Sequence, residues 1–460
     1  MPLARNLHGV WPTDRPRRCP HTRARSTVLV WGDVIVSVAV SIDISPTFSR
    51  VPKISYVINL LNYMKLDFPR YTERLGAVSI HAVQRIYELD SGKSKGFQSS
   101  HQTVRKFDYD EISNIMHDLA IVIPIKNEKL KLLEGVLSGI PNECLVIIVS
   151  NSSRGPVDRF AMETEAVRQL GRFMEKRMII VHQQDPGLAE VFKKVGYDSI
   201  LDSQGNIRSG KAEGMIIGML AAKSYHKDYV GFIDSDNYVP GAVNEYVKIF
   251  AAGFGMSTTP YCNVRVSWVF KPKVRNNALQ FSKWGRVSEI TNKNLNALLA
   301  TITGFETEVI KTGNAGEHAL SMPLAECLHY TSGYSIETRE FIGILEKFGG
   351  LVPSEYPQIV DKGVEVFQIE TRNPHFHEDK GIEHLSEMLE ASLATILGSK
   401  ICPPDLKESL QDQLKHVTKK RIDYSKKYHM LEPINTIHLP EFEKGIREKA
   451  NTFLRIGRLK

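Results

Sequence analysis

The chain has 460 residues, of which 42% are apolar and 24% charged, and this composition is that of a soluble globular protein with a sizeable core. The formal net charge is +7, but eight Lys/Arg against three Asp/Glu in residues 1–60 supply about +5 of it, so charge does not require a nucleic-acid-binding surface. Five scattered cysteines, without zinc-ligand spacing, favour a reduced cytoplasmic protein over a disulfide scaffold.

The N-terminal segment is rich in arginine and leads into an apolar stretch from Val28 to Ile44. Asp33 and Asp43 within that stretch would be costly in a bilayer, so no membrane span is predicted. Three interpretations stay open for residues 1–65: an extension without function, a targeting segment or a structured addition. We predict a cytoplasmic location, while the arginine-rich start leaves organelle targeting open.

From Leu119 onward the pattern predicts strands that alternate with helices. The expected strands are Leu119–Pro124, Cys144–Val149, Arg177–His182, Tyr229–Ile233 and Val364–Glu370, and the expected helices are Lys129–Ser138, Thr164–Lys176, and a helix that follows a glycine-containing loop within Asn206–Tyr225. Residues 261–345 mix strand-like and polar segments, and residues 382–430 have a helical pattern. This alternation predicts an α/β fold with a mixed, mostly parallel sheet flanked by helices, and helical C-terminal additions.

Five segments are predicted: an N-terminal extension (1–65), a second N-terminal segment (66–118), a core that would bind a nucleotide (119–260), a part that would bind a second substrate, the acceptor (261–381), and a helical C-terminal region (382–460). In parallel sheets, ligands bind at the carboxyl ends of the strands. The residues that directly follow each predicted strand are therefore the candidates for the functional site.

The sharpest feature is the pair Asp234 and Asp236, separated by a serine at the end of the strand Tyr229–Ile233. Two carboxylates there can hold a divalent cation and a ribose together, and hard oxygen ligands suit Mg²⁺ or Mn²⁺. Taken alone, the same pattern also fits a solvated turn. His375 and His377, after the late strand, are candidates to complete the metal site.

Two further segments can bind a nucleotide. The turn Pro124–Glu128 follows the first strand of the core and can contact a base and ribose, although it also fits a helix start with an asparagine cap. In Arg208–Gly214, small residues let the backbone approach an anion, and Lys211 offers a compact charge for a phosphate. A plain loop with a solvated lysine is the alternative.

Two later segments are candidates for an acceptor site. Lys283–Glu289 contains Arg286, whose guanidinium with a backbone amide and a hydroxyl suits a phosphate or carboxylate, although a surface ion pair is the commoner use of arginine. Thr312–His318 has two glycines that mark a tight loop, which either lines the acceptor pocket or only turns the chain. No complete P-loop motif, Gly-x-x-x-x-Gly-Lys-Ser/Thr, supports a competing nucleotide chemistry.

Taken together, these segments resemble the mannosyl-3-phosphoglycerate synthase family. The resemblance extends from about Tyr71 to about Lys400 and includes Glu73–Val78, Ile80–Gln84, Ile148–Ser152, Gln184–Ala189, Pro240–Tyr246 and Ser332–Glu337. It implies a nucleotide-sugar transferase of the GT-A type and of glycosyltransferase family 55. Its activity would be to transfer mannose from GDP-mannose to the 2-hydroxyl of 3-phosphoglycerate with retention, in mannosylglycerate biosynthesis.

The resemblance also implies roles for individual residues. The donor would be bound by Pro124, Lys126, Asn127, Glu128, Ser150, Ser152, Lys211 and Asp234. The acceptor would be bound by Gly285, Arg286, Ser288 and Asn314. Catalysis would involve Asp234, Asp236, Lys211 and Glu317, and the metal (Mg²⁺ or Mn²⁺) would be held by Asp236 with His377, or with His375 instead.

This sequence departs from the family pattern at Ala212, which stands where the family has glycine, and at Ser235, which stands where it has alanine. An alanine at position 212 would be strained if that glycine had a positive φ. Two other functions stay open: a related transferase that uses UDP-glucose or GDP-glucose, and a nucleotide-sugar-binding protein without activity. The sequence does not decide whether the chain forms a homodimer.

Overall fold

Strands and helices alternate through most of the chain in the computed structural model, which describes residues 64–67, 71–88, 104–237, 239–275, 278–282, 285–376, 381–418 and 428–458. The predicted extension, residues 1–65, lies outside the described residues except for its last two. The strands are β1 (Met64–Asp67), β2 (Thr72–Leu75), β3 (Val78–His81), β4 (Gln84–Glu88), β5 (Val104–Phe107), β6 (Leu119–Ile125), β7 (Leu145–Ser150), β8 (Met178–His182), β9 (Tyr229–Phe232), β10 (Cys262–Ser267), β11 (Lys271–Arg275), β12 (Ala278–Ser282), β13 (His318–Ser321), β14 (Tyr330–Thr331), β15 (Val364–Glu370), β16 (Met430–Leu431) and β17 (Leu454–Ile456).

The helices lie between and after these strands. They are α1 (Tyr109–His117), α2 (Leu130–Gly139), α3 (Arg159–Phe173), α4 (Pro186–Lys194), α5 (Lys211–Ser224), α6 (Pro240–Met256), α7 (Arg286–Thr303), α8 (Met322–Ala325), α9 (Ile336–Phe348), α10 (Pro357–Lys362), α11 (Gly381–Leu397), α12 (Pro404–Thr418) and α13 (Leu439–Lys449). Short 3₁₀ turns occur at Asp198–Ile200, Gly333–Ser335 and Ile434–Thr436.

One mixed sheet organises the fold. Its main path within the described residues runs β17-β8-β7-β6-β9-β13-β10-β15-β4-β1-β5. The neighbours β8, β7, β6 and β9 pair in parallel, as do β10 and β15, whereas β13 is antiparallel to both of its neighbours. The predicted α/β architecture, with a mixed sheet whose central strands are mostly parallel, is therefore confirmed.

The core strands are apolar because both faces of the sheet are covered. Alternate residues of β6 point to opposite sides, so Val122 packs in one apolar cluster and Ile121 and Ile123 in another. Helix α5 belongs to the first cluster, while α2 and α6 belong to the second. Burying each such side chain stabilises the fold by about 1.5–3 kcal/mol, which explains why these strands are continuous apolar runs.

Several predicted elements match the structure within one or two residues, including β6, α2, β7, β8, β9 and β15. Helix α3 begins at Arg159 rather than at the predicted Thr164, because Asp158 caps it by accepting the amide of Ala161 at 2.8 Å. Residues 261–345 contain the long helices α7 and α9, which the mixed pattern did not predict. The C-terminal region ends in β17, which joins the sheet beside β8.

The sheet brings the candidate segments to one edge. Strands β6, β7 and β9 are parallel, so residues 126–128, 151–153 and 233–237 all follow carboxyl ends on the same side. Because β13 is antiparallel and His318 lies opposite Phe232, the residue that precedes β13, Glu317, lies at that edge too. The boundaries of the five predicted segments remain predictions, although strands from each of the last four share this sheet.

Candidate active site

The Asp234–Asp236 pair lies where β9 ends. The Asp234 side chain is 36% exposed, whereas Asp236 is only 6% exposed as a residue. A glycine at position 316 allows the neighbouring loop to come close, since a Cβ on Gly316 would lie 2.5 Å from Asp234 Oδ2. The two carboxylates are thus held against the loop that carries Glu317.

Lys211 is the cation of this site. It is the first residue of α5, and its Nζ lies 2.7 Å from Asp234 Oδ1 and 2.6 Å from Glu337 Oε1. Burial lowers the pKa of Lys211, but Asp234 and Glu337 together raise this pKa well above its ordinary value. The ammonium group is therefore charged and held between Asp234 and Glu337.

Glu317 is fully buried beside the carboxylate pair. Its Oε1 accepts a hydrogen bond from Asn237 Nδ2, and its Oε2 has no hydrogen-bond partner among the described residues. Burial raises the pKa of Glu317 to about 8, and the negative charge of Asp234 contributes in the same direction. Glu317 thus lies close enough to Asp234 and Asp236 for the negative charges of both to favour its protonated form.

The two candidate histidines differ in what the structure says of them. His375 is 6% exposed, its Nδ1 lies 3.3 Å from Tyr246 Oη, and its ring centroid lies 4.5 Å from that of Trp268. His377 lies outside the described residues. Among the described ranges, no group of three or more His, Cys, Asp or Glu is arranged to hold a metal ion. Carboxylate oxygens are ligands that suit Mg²⁺ or Mn²⁺, and the metal site at Asp236 with its histidine ligand stays a prediction.

The turn after β6 has an unusual backbone. Asn127 has φ +57°, Lys126 and Asn127 are exposed, and Pro124 and Glu128 are partly buried. The side chain of Asn127 accepts the amide of Ser153 at 2.9 Å, which joins this turn to the one after β7. The two turns thus form one surface at the edge of the sheet, in a position to contact a nucleoside.

Ser150 and Ser152 point away from that surface. Their hydroxyls each donate to the buried carboxylate of Glu163 at 2.6 Å, and both residues are at most 2% exposed. Burial raises the pKa of Glu163, while the two serine hydroxyls oppose that shift. Direct contact of these serines with a donor stays a prediction, and the structure shows them holding the turns in place.

Ala212 lies in the first turn of α5 and is fully buried. The described non-glycine residues with positive φ are Asn127, Glu175 and His226, so Ala212 carries no such strain. In a helix, alanine is favoured over glycine by about 0.5–1 kcal/mol. The departure from the family pattern is therefore compatible with an intact α5 and an intact Lys211 site.

Two of the candidate acceptor residues, Ser288 and Asn314, line a small, open pocket with a cavity volume of about 20 Å³, together with Val266, Ser267, Trp268, Lys271, Lys311, Thr312 and Ala315. Ser288 lies in the first turn of α7, for which Gly285 is the N-cap and Arg286 the first residue. Asn314 is fixed through its Nδ2, which donates to Ser392 Oγ at 2.6 Å, while its Oδ1 has no hydrogen-bond partner among the described residues. Two lysines and a helix N-terminus suit a small anion, and the Oδ1 of Asn314 can accept a hydrogen bond from a hydroxyl group.

Sequence reasoning gave no role to several residues that the structure brings to the site. Glu337 lies 126 residues from Lys211 in the chain, and Lys271 and Lys311, which line the pocket, lie outside the segments that the sequence singled out. Glu163 lies in the middle of a helix. A local pattern shows none of these contacts, since each depends on how distant segments pack.

Comparisons with known proteins agree on one family. The family model described as "Mannosyl-3-phosphoglycerate synthase" matches residues 68–446. A mannosyl-3-phosphoglycerate synthase of Pyrococcus furiosus is 48% identical over 396 residues, which is 86% of this chain and all of that protein. One of Aeropyrum pernix is 38% identical over 353 residues, which is 76% of this chain and 90% of that protein.

A solved structure of lower similarity is glucosyl-3-phosphoglycerate synthase from Mycobacterium tuberculosis with Mn²⁺, UDP-glucose and phosphoglyceric acid. It has a TM-score of 0.44 and 18% identity, and the match covers 73% of this chain and 97% of that one.

Within the residues that the structure describes, no helix is long and apolar enough to cross a membrane.

Proposed function

The chain belongs to the mannosyl-3-phosphoglycerate synthase family, and we propose that it transfers mannose from GDP-mannose to the 2-hydroxyl of 3-phosphoglycerate. The products are mannosyl-3-phosphoglycerate, with retained anomeric configuration, and GDP. The enzyme is a hexosyltransferase. The observation that carries the proposal is that Lys211, Asp234 and Asp236 lie at the same sheet edge as the turns that follow β6 and β7.

The donor lies along that edge. The turns at Pro124–Glu128 and after β7 contact the guanosine, and Asp234 contacts the ribose. Lys211 approaches the diphosphate from the start of α5, where the positive end of the helix also favours negative charge. Asp236, with His377 or His375, would hold Mg²⁺ or Mn²⁺, and that ion would neutralise charge on the diphosphate when bound.

The acceptor binds in the pocket between Ser288 and Asn314. Its phosphate meets the N-terminus of α7 at Gly285, Arg286 and Ser288, where backbone amides are available to an anion. Its carboxylate meets Lys311, whose Nζ lies 2.7 Å from the exposed carboxylate of Glu308. Such an arrangement leaves the 2-hydroxyl of phosphoglycerate facing the catalytic edge.

We propose a front-face displacement for the chemical step. The bond between the anomeric carbon and the GDP oxygen breaks, and its electron pair stays with GDP, where Lys211 stabilises the charge. The acceptor oxygen bonds to the anomeric carbon on the same face and passes its proton to a phosphate oxygen of GDP. The full burial of Glu317 and its bond to Asn237 support this route over a double displacement with Glu317 as nucleophile. Trapping of a mannosyl ester on Glu317 would contradict it.

The test of the function is product formation from GDP-mannose and 3-phosphoglycerate with Mg²⁺ present or chelated. We expect mannosyl-3-phosphoglycerate only when the metal is present, and weaker turnover with GDP-glucose or UDP-glucose in direct competition. A preference for a glucosyl donor would move the function to that related transferase. Donor binding without turnover of any sugar would show an inactive nucleotide-sugar-binding protein instead.

The acceptor assignment predicts that Lys311→Met raises KM for 3-phosphoglycerate about 10- to 100-fold, because a charge-assisted hydrogen bond contributes about 1.5–3 kcal/mol. KM for GDP-mannose should change little. Lys293→Met is the matched control, since Lys293 is an exposed lysine on α7 that does not line the pocket. An unchanged KM for phosphoglycerate in the Lys311 variant would remove this residue from the acceptor site.

We also propose a cytoplasmic location, which is supported by the free thiols of the buried residues Cys144, Cys262, Cys327 and Cys402.

A further inference from the structure

We propose that Glu163, on α3, is a positioning residue for the nucleotide donor, because it holds in place the two turns that contact the nucleoside. This inference rests on the proposed function, because it takes the turns after β6 and β7 as the nucleoside site. Glu163 itself is 1% exposed, so it acts through the residues that it contacts rather than on the nucleotide directly.

The carboxylate of Glu163 joins both turns through two serines. Its Oε2 accepts from Ser150 Oγ and its Oε1 from Ser152 Oγ, each at 2.6 Å. Ser152 Oγ in turn accepts the backbone amide of Asn127 at 2.7 Å. One buried carboxylate thus connects the end of β7 to the turn after β6.

The turn after β6 needs such support because of its backbone conformation. Asn127 has φ +57°, a region that costs free energy for any residue with a side chain. Its amide is held by Ser152, its side chain by Ser153 N at 2.9 Å, and its carbonyl by Arg159 at 3.2 Å. Arg159 and Glu163 both belong to α3, so this helix holds the turn from two sides.

A carboxylate is required because both serine hydroxyls donate at the same time. A glutamine in this position offers one acceptor oxygen and places an amide N–H group against the other hydroxyl. One serine must then rotate, and the bond that orients Asn127 is weakened. The backbone of Ser152 is also held, because His182 Nε2 lies 2.9 Å from Ser152 O.

The test is the affinity of the full chain for GDP, measured by calorimetry for wild type, Glu163→Gln and Glu346→Gln. We expect the Kd for GDP to rise about tenfold in Glu163→Gln, with KM for GDP-mannose rising in parallel and KM for phosphoglycerate unchanged. Glu346 is the matched control because it is also a buried carboxylate that accepts from a serine hydroxyl, Ser399 Oγ at 2.8 Å, away from this edge.

Ser152→Ala is the second variant, and it serves alone if Glu163→Gln does not fold. It should weaken GDP binding similarly. The double variant should bind GDP no more weakly than the weaker-binding single variant, because both changes break the same chain of hydrogen bonds from Glu163 through Ser152 to Asn127. An unchanged Kd in Glu163→Gln, equal losses in Glu346→Gln, or fully additive effects would each overturn the inference. If wild type binds no guanine nucleotide, the proposed function fails instead.

Discussion

Replacing Lys211 with methionine should lower kcat for mannosyl transfer about 10²–10³-fold, because preorganised charge at a leaving group typically contributes this much. Lys211 is the ammonium group held between Asp234 and Glu337, at the start of α5. Methionine keeps the length and apolar stem of the side chain but removes the charge. Single-turnover rates with saturating GDP-mannose would measure the effect on the chemical step.

Loss of Lys211 also leaves two carboxylates without their counter-charge, so a stability effect must be separated from a catalytic one. Glu337→Gln in the Lys211→Met background removes part of the repulsion, and it should restore thermal stability without restoring kcat. Lys223→Met is the control on the same helix, since Lys223 pairs with Glu326 at the other end of α5. A Lys211 variant with near wild-type kcat would show that the ammonium group does not act on the leaving diphosphate.

The central strands could be predicted because each is buried on both faces. Strand β7, for example, reads Leu-Val-Ile-Ile-Val-Ser and is buried throughout. A short apolar run of this kind with turn residues on both sides predicts a core strand. The carboxylate pair followed from the same reasoning, since it lies directly after β9. Local sequence is sufficient to predict the position of a side chain where that position depends only on the strand to which the residue belongs or which it follows.

Helix α7 shows why other elements were not predicted. It contains Asn292, Asn294 and Asn296, residues typical of turns, yet all three are buried. Asn292 donates to Lys311 O at 2.9 Å and accepts from Gly313 N at 2.8 Å. Asn296 likewise donates to Ile310 O at 2.8 Å and accepts from Ile310 N at 2.9 Å. Asn292 and Asn296 thus support the loop that lines the proposed acceptor pocket, whereas Asn294 pairs with Gln413. Their polarity therefore reflects a tertiary contact that no local pattern contains.

Buried Arg265 gives a second example. Its guanidinium donates to Thr312 O and Glu337 O at 2.9 Å each, and it lies 3.6 Å from Glu340. Arg265 thus ties β10 to the acceptor loop and to the helix that carries the partner of Lys211. In the sequence it is one charged residue in an otherwise strand-like segment, and its function in the packing depends on residues more than forty positions away.

Asp236→Ala should abolish metal-dependent activity, with kcat reduced roughly 10³-fold or more, because a bound cation supplies several kcal/mol of charge stabilisation. Asp236 is 6% exposed and follows β9, and the carboxyl groups of Asp234 and Glu317 lie near it. Calorimetric titration of Mn²⁺ into the protein with GDP present provides a readout that is independent of turnover. We expect the variant to lose measurable Mn²⁺ binding and to retain binding of 3-phosphoglycerate.

Asp228→Asn is the matched control, because Asp228 is an exposed carboxylate that precedes β9 at the opposite end of the same strand. It should bind Mn²⁺ and turn over as wild type does. Intact Mn²⁺ binding in Asp236→Ala would assign the cation to other ligands, and Asp234 and Glu317 would then be the first to replace. Loss of Mn²⁺ binding with unchanged turnover would instead separate the metal from the reaction and leave Lys211 as the principal charge on the leaving group.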